Sequence, residues 1–199
     1  MTGSDDPIAR HLDRSLAVLK AAAEDAGFRA AIAAIAARIT AAFRDGHKVM
    51  LAGNGGSAAD AQHIAGEFLS RLRFDRNPLP AIALTVDTSV LTAVGNDYGY
   101  EQVFERQIRG LGRAGDVFIA ISTSGRSPNV LAAMKAARAL GVTTVGFTGT
   151  APGAAQMREF SDFFLAAPTP DTPLMQQVHI TAAHAICEVV EQQLFGNKG

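Results

Sequence analysis

The chain has 199 residues, 48% of them hydrophobic and 19% charged, which is enough apolar material for a sizeable core and excludes disorder over most of its length. Eighteen basic and nineteen acidic residues leave a formal charge of −1, so the electrostatic footprint of a nucleic-acid binder is missing. The single cysteine, Cys187, cannot close an intrachain disulfide, which suits a reducing compartment. Asp5, Asp6 and Pro7 interrupt the first ten residues, so no secretory signal is expected there, and no uninterrupted apolar run approaches the ~18 residues of a membrane span. The expectation is a soluble cytoplasmic protein forming one domain over 1–199, with a helical segment at 1–46 and an α/β core at 47–199.

In chain order, residues 8–43 are alanine-rich, with Ile8, Leu12, Leu16 and Leu19 at helical spacing. Gly27 is expected to divide this stretch into two helices, the second carrying Ile32, Ile35, Ile39 and Phe43, and Gly46 to stop it. Such apolar helices either cover a sheet or form a subunit interface. Short apolar runs then suit buried parallel strands at 48–52, 81–85, 116–121, 143–148 and 162–166. Helical patterns at 58–72, 101–111, 128–140 and 173–195 fill the gaps. The alternation predicts an α/β fold, a doubly wound five-stranded parallel sheet preceded by helices, with ligands beyond the carboxyl ends of the strands.

Just past the first strand stand Gly53, Asn54, Gly55, Gly56 and Ser57, where glycines let backbone amides approach a ligand and Ser57 could cap the helix. Neither a dinucleotide fingerprint nor a lysine-bearing phosphate loop is present, and an ordinary tight turn is the competing reading. Past the third strand, Ser122, Thr123, Ser124 and Ser127 place four hydroxyls in six residues, with Pro128 opening a helix. They suit a phosphate held by hydroxyls and amides; no nucleophile elbow surrounds them. After the second strand come Asp87, then Asn96 and Asp97, which read equally as turn residues or as part of the same rim. His63 and Glu67 are four residues apart and share one helix face. Gln176 and His184 lie two turns apart on the last helix, with His179 between them on a nearby face. These are either structural histidines or an N/O donor set suited to zinc.

Four stretches carry a resemblance: LAGNGGSAADAQHIAGE from Leu51 to Glu67, AVGNDYGYE from Ala93 to Glu101, ISTSGRSPN from Ile121 to Asn129, and Asp171-Thr172-Pro173 followed by Gln176 and His184. Together they resemble the sugar isomerase (SIS) family and, more narrowly, its phosphoheptose isomerases, over nearly the whole chain. The resemblance implies isomerisation of sedoheptulose 7-phosphate to D-glycero-D-manno-heptose 7-phosphate, the first step towards the nucleotide-activated heptoses of bacterial lipopolysaccharide or capsule. It implies Glu67 as catalytic base and His184 as catalytic acid. It further implies one zinc per subunit on His63, Glu67, Gln176 and His184, and substrate contacts at Asn54, Gly55, Gly56, Ser57, Asp60, His63, Glu67, Arg71, Asn96, Asp97, Ser122, Thr123, Ser124, Ser127 and Gln176. A homotetramer with sites at subunit interfaces, Arg71 reaching a neighbouring pocket, completes the expectation. Where the family has a basic residue, then Ile-Gln-Glu, this chain has Leu174, Met175, Gln176 and Gln177, which bears on the exact sugar. The alternatives are an isomerase of another ketose phosphate and a non-catalytic SIS module; the latter lacks an acidic residue at the position of Glu67.

Overall fold

The computed structural model describes residues 6–196. Asp6 caps α1 (Pro7–Glu24) by accepting from the Ile8 amide, and Pro7 occupies the first turn, where its missing N–H costs nothing. The break to α2 (Ala26–Arg44) falls at Asp25 rather than at Gly27. Asp25 is extended, and its carboxylate accepts from the amides of Gly27 and Phe28, so a side-chain cap outweighs the glycine as the dividing signal.

The core alternates thereafter: β1 (Val49–Gly53), α3 (Gly56–Leu69), β2 (Ala81–Ala83), α4 (Thr88–Tyr98), a 3₁₀ turn (Tyr100–Gln102), α5 (Glu105–Leu111), β3 (Val117–Ile121), α6 (Pro128–Ala139), β4 (Thr143–Thr148), α7 (Ala154–Glu159), β5 (Phe163–Ala166) and α8 (Thr172–Phe195). All strand pairs are parallel, in the order β2-β1-β3-β4-β5, which bears out the doubly wound five-stranded sheet. Strand order reverses between β1 and β3. That switch point opens a crevice at the carboxyl ends of exactly those two strands whose following loops are rich in glycine and serine.

Side chains along the central strands alternate between two cores. Val49, Leu51, Val117, Ile119 and Ile121 pack against Ile35, Ile39, Phe68 and Ile186 of α2, α3 and α8. Met50, Ala52, Phe118 and Ala120 pack against Phe104, Ile108, Val130 and Met134 of the opposite layer. Helix α2 is long and apolar enough to cross a membrane, with mean hydropathy 1.4, but its buried residues belong to the first core, against the sheet and α8. Helix α1 meets α8 through a small cluster including Ala22, Met175 and Val178, and leaves Ile8, Leu12 and Leu16 69%, 56% and 66% exposed.

The structure departs from the sequence reading at three places. Asn96 and Asp97, read equally as turn residues or as part of the rim, end a helix, α4, which Asp87 opens by accepting from the Val90 amide. The helix expected over 101–111 is a 3₁₀ turn followed by the shorter α5, separated at Val103 and Phe104, whose burial in the core sets the bend. The short α7 had no strong periodicity to reveal it and is held by buried Met157.

Candidate active site

Helices α3 and α8 both follow strands of the same parallel sheet, so they run in the same direction side by side. One turn of spacing within α3 and the packing against α8 bring three groups together. His63 Nε2 lies 3.1 Å from Glu67 Oε1 and 2.8 Å from His184 Nε2, and His184 Nε2 lies 3.9 Å from the same carboxylate oxygen. The two imidazole rings are tilted at 60°, with centroids 5.0 Å apart. All three ligand atoms fall within 4.8 Å of one another, and they are the arrangement of histidine and carboxylate donors that zinc accepts. The side chains of His63 and His184 stay 48% and 42% exposed while that of Glu67 is 20% exposed, so the cluster opens to the surface on its imidazole side.

Gln176 stands elsewhere in the same seam. A methyl group on Gly56 would come within 2.3 Å of its Nε2, so the carboxamide lies directly over the first turn of α3, a contact only glycine permits. Eight residues, about 12 Å of helix, separate Gln176 from His184. Among the described residues it forms no hydrogen bond to the His63–Glu67–His184 cluster. One turn before His63, the Asp60 carboxylate has a buried Oδ2 without a partner, and burial pushes its pKa up against the influence of His63.

The switch-point crevice is laced by amides. Asn54 Nδ2 donates to Asn129 Oδ1 and Asn129 Nδ2 donates to Asn54 Oδ1, both at 2.9 Å, while the Tyr100 hydroxyl donates to Asn54 Oδ1 at 3.2 Å. Asn129 is buried and its Oδ1 also accepts from the Val130 amide. Gly55, at φ +56°, makes the turn between Asn54 and α3. Ser57 is buried in the first turn but does not cap the helix; Gly55 occupies the cap position.

In the loop after β3, Ser122 Oγ lies 2.9 Å from Ser127 Oγ and 3.4 Å from Ser124 Oγ, and Ser124 Oγ accepts from the Arg126 amide. Three hydroxyls therefore converge at the start of α6, with Thr123 half-buried beside them. Gly125, at φ +67°, presses against the Gly153 backbone, where a Cβ would come within 2.6 Å; the loop is braced from behind.

The remaining expected positions are not joined to these groups. Asn96 and Asp97 sit exposed at the end of α4, hydrogen-bonded to each other at 2.8 Å. Arg71 is exposed just beyond α3, with no hydrogen bond or ion pair among the described residues. His179 is fully buried, its Nε2 2.8 Å from the Thr148 carbonyl oxygen, and burial lowers its pKa to about 4, so it is a neutral core histidine. Cys187 is buried and burial raises its thiol pKa, which removes it from the chemistry. Asn129 and Tyr100 escaped notice in the sequence as individual residues of the site; the adjacency of Asn129 to Pro128 at a helix start was the available signal.

The sequence model of the SIS domain family matches residues 11–149. A phosphoheptose isomerase of Bradyrhizobium sp. strain BTAi1 is 56% identical over 191 residues, 96% of each chain. The chain belongs to the SIS family, among its phosphoheptose isomerases. Among solved structures, the phosphoheptose isomerase of Francisella tularensis superposes with a TM-score of 0.89 at 34% identity, covering 96% of this chain and 100% of that one. That of Neisseria gonorrhoeae gives 0.84 at 39% identity over 93% and 97%. Family membership and the folded geometry thus agree on the fold.

Proposed function

We propose that the protein isomerises sedoheptulose 7-phosphate to D-glycero-D-manno-heptose 7-phosphate, working over its whole length as one SIS domain. The observation that carries this reading is the meeting of a carboxylate and an imidazole, Glu67 and His184, from two helices at one spot. An aldose–ketose isomerisation moves one proton between C1 and C2 and another between O1 and O2. Glu67 takes the proton from C1, leaving a cis-enediol, and returns it to C2. His184 moves the oxygen-bound proton. His63 stands beside both, its Nε2 2.8 Å from His184 Nε2 and 3.1 Å from Glu67 Oε1.

The donor set of His63, Glu67 and His184 suits zinc, and Gln176 is the fourth candidate ligand, although its carboxamide reaches the cluster only by leaving Gly56. When bound, zinc polarises the sugar carbonyl and stabilises negative charge on the enediolate oxygens. A carboxylate that holds a cation is a weaker base, so Glu67 would have to loosen from a bound metal to take the C1 proton.

The hydroxyls of Ser122, Thr123, Ser124 and Ser127 hold the distal phosphate, and its binding energy positions the sugar carbons. Asn54, Gly55, Gly56 and Ser57 contact the sugar backbone, and the unpaired Asp60 carboxylate is directed to a sugar hydroxyl. Asn96 and Asp97 contact the substrate from the same rim, and exposed Arg71 completes the pocket of a neighbouring subunit in a homotetramer, in which the exposed α1 stripe of Ile8, Leu12 and Leu16 is covered. The cytoplasm is the proposed compartment, in keeping with the single buried thiol of Cys187.

The deciding experiment incubates the purified protein with sedoheptulose 7-phosphate and follows appearance of the aldose. Conversion supports the reading, and no conversion of this sugar by protein supplied with zinc overturns it.

A further inference from the structure

The last turn of α3 carries a single backbone cap bond. It has no basic residue there, and its cap residue Ser70 offers only its backbone amide, to the Gly66 carbonyl. Arg76 donates to two of the helix's terminal carbonyls, one of which, that of Phe68, also accepts from the Leu79 amide. Its Nη2 donates to the Glu67 carbonyl oxygen and its Nη1 to that of Phe68, each at 2.8 Å. Its Nε donates at 2.8 Å to Glu191 Oε1 on α8. Both charged side chains are essentially sealed from water, at 1% and 0% exposure. Glu191 further accepts from the amides of Leu72, Arg73 and Phe74, which holds its pKa below the ordinary glutamate value despite burial.

Glu191 lies seven residues beyond His184, two turns along the same face of α8. The seam between α3 and α8 therefore touches at three levels: Gly56 with Gln176, His63 and Glu67 with His184, and the carbonyls of Glu67 and Phe68 with Glu191 through Arg76. The last level grips the backbone of Glu67 itself. Any slip of α3 along α8 would carry the Glu67 carboxylate away from His184.

We infer that Arg76, with Glu191, is a positioning residue that sets the axial register of Glu67 against His184. A guanidinium can do this because its planar fork reaches the Glu67 and Phe68 carbonyls and the Glu191 carboxylate in fixed directions at once; a lysine ammonium keeps the charge but not the fork. This inference rests on the reading of Glu67 and His184 as the acid–base pair, and its test also has a readout independent of turnover.

The test compares wild type with Arg76→Lys and Glu191→Gln, each checked for a cooperative thermal melt above the assay temperature. In the metal-free proteins the imidazole resonances of His63 and His184 are recorded, assigned by single His→Gln variants. Kinetics with sedoheptulose 7-phosphate follow. Expected are displaced His63 and His184 signals and kcat down about 10–100-fold, the range of an ångström-scale misplacement, with KM within about twofold because the serine loop is remote from Arg76. Should one variant fail to fold, the other carries the comparison. Folded variants with wild-type imidazole signals, whatever their kcat, would overturn the inference. If wild type converts no sugar, the proposed function fails, and the imidazole signals alone still decide the role of Arg76.

Discussion

His63 Nε2 stands 2.8 Å from His184 Nε2, across the seam between two helices and 121 residues apart in the chain. Two imidazole lone pairs cannot face one another at that distance without a proton or a cation between them. The Glu67 carboxylate, 3.1 Å from His63, makes either occupant favourable. In the proposed reading, this small cluster would serve acid–base and metal chemistry at one point.

Glu67→Gln keeps the size and helix propensity of the side chain but removes the base. We expect kcat to fall by about 10²–10⁴ with an unchanged fold, measured by the rate of aldose formation and by circular dichroism. Near-normal kcat would mean that another group removes the C1 proton.

Replacing Ser122 or Ser127 with Ala breaks the 2.9 Å hydroxyl pair at the start of α6. Phosphate contacts persist from ground state to transition state, so KM should rise more than kcat falls. Steady-state kinetics on both variants check this, and two unchanged KM values would refute the phosphate cradle.

Removing metal with a chelator should lower activity, and zinc should restore it. Imidazole and carboxylate bind a cation only when deprotonated, so zinc affinity should also weaken in acid. Metal analysis and light scattering on one preparation test zinc and tetramer together. Full activity in demonstrably metal-free protein would dismiss the zinc, and a fully active monomer would dismiss the shared site.

His179 makes the fold itself acid-sensitive. Its folded pKa of about 4 lies below the 6.5 of an unperturbed histidine, so the unfolded chain binds a proton first as pH falls. Its contribution is fully present above pH 6.5 and is lost as pH falls from there towards 4, amounting to about 3 kcal/mol. Urea unfolding at pH 7 and pH 4.5 should show a smaller acid loss in His179→Gln than in wild type. Equal losses would show that His179 does not carry the acid sensitivity; Asp116 and Glu191, whose lowered pKa values act in the same direction, lose their contribution mainly below the ordinary values of 3.8 and 4.5.

The strands were legible because full burial demands continuous apolar runs, as in β1 and β3 with every residue buried. Helix α4 was not, since its threonines, glycine and asparagine are weak helix formers and Val94 is its only buried residue. Its signal was the cap, Asp87. Arg76 and Glu191 were invisible for another reason: 115 residues separate them, and neither belongs to a local pattern.

Whatever depends on neighbours along the chain is legible before folding: which segments become strands, where glycine and serine collect after them, and that His63 and Glu67 share one face of a helix. Tertiary structure alone decided what depends on strand order and on the packing of α3 against α8. Placing β1 beside β3 pairs Asn54 with Asn129, 75 residues away, and the parallel run of α3 and α8 delivers His184 to Glu67 while leaving Gln176 over Gly56. Helical periodicity sets the face a side chain occupies, but only the neighbouring helix, held at one height by buried contacts, sets what that side chain meets.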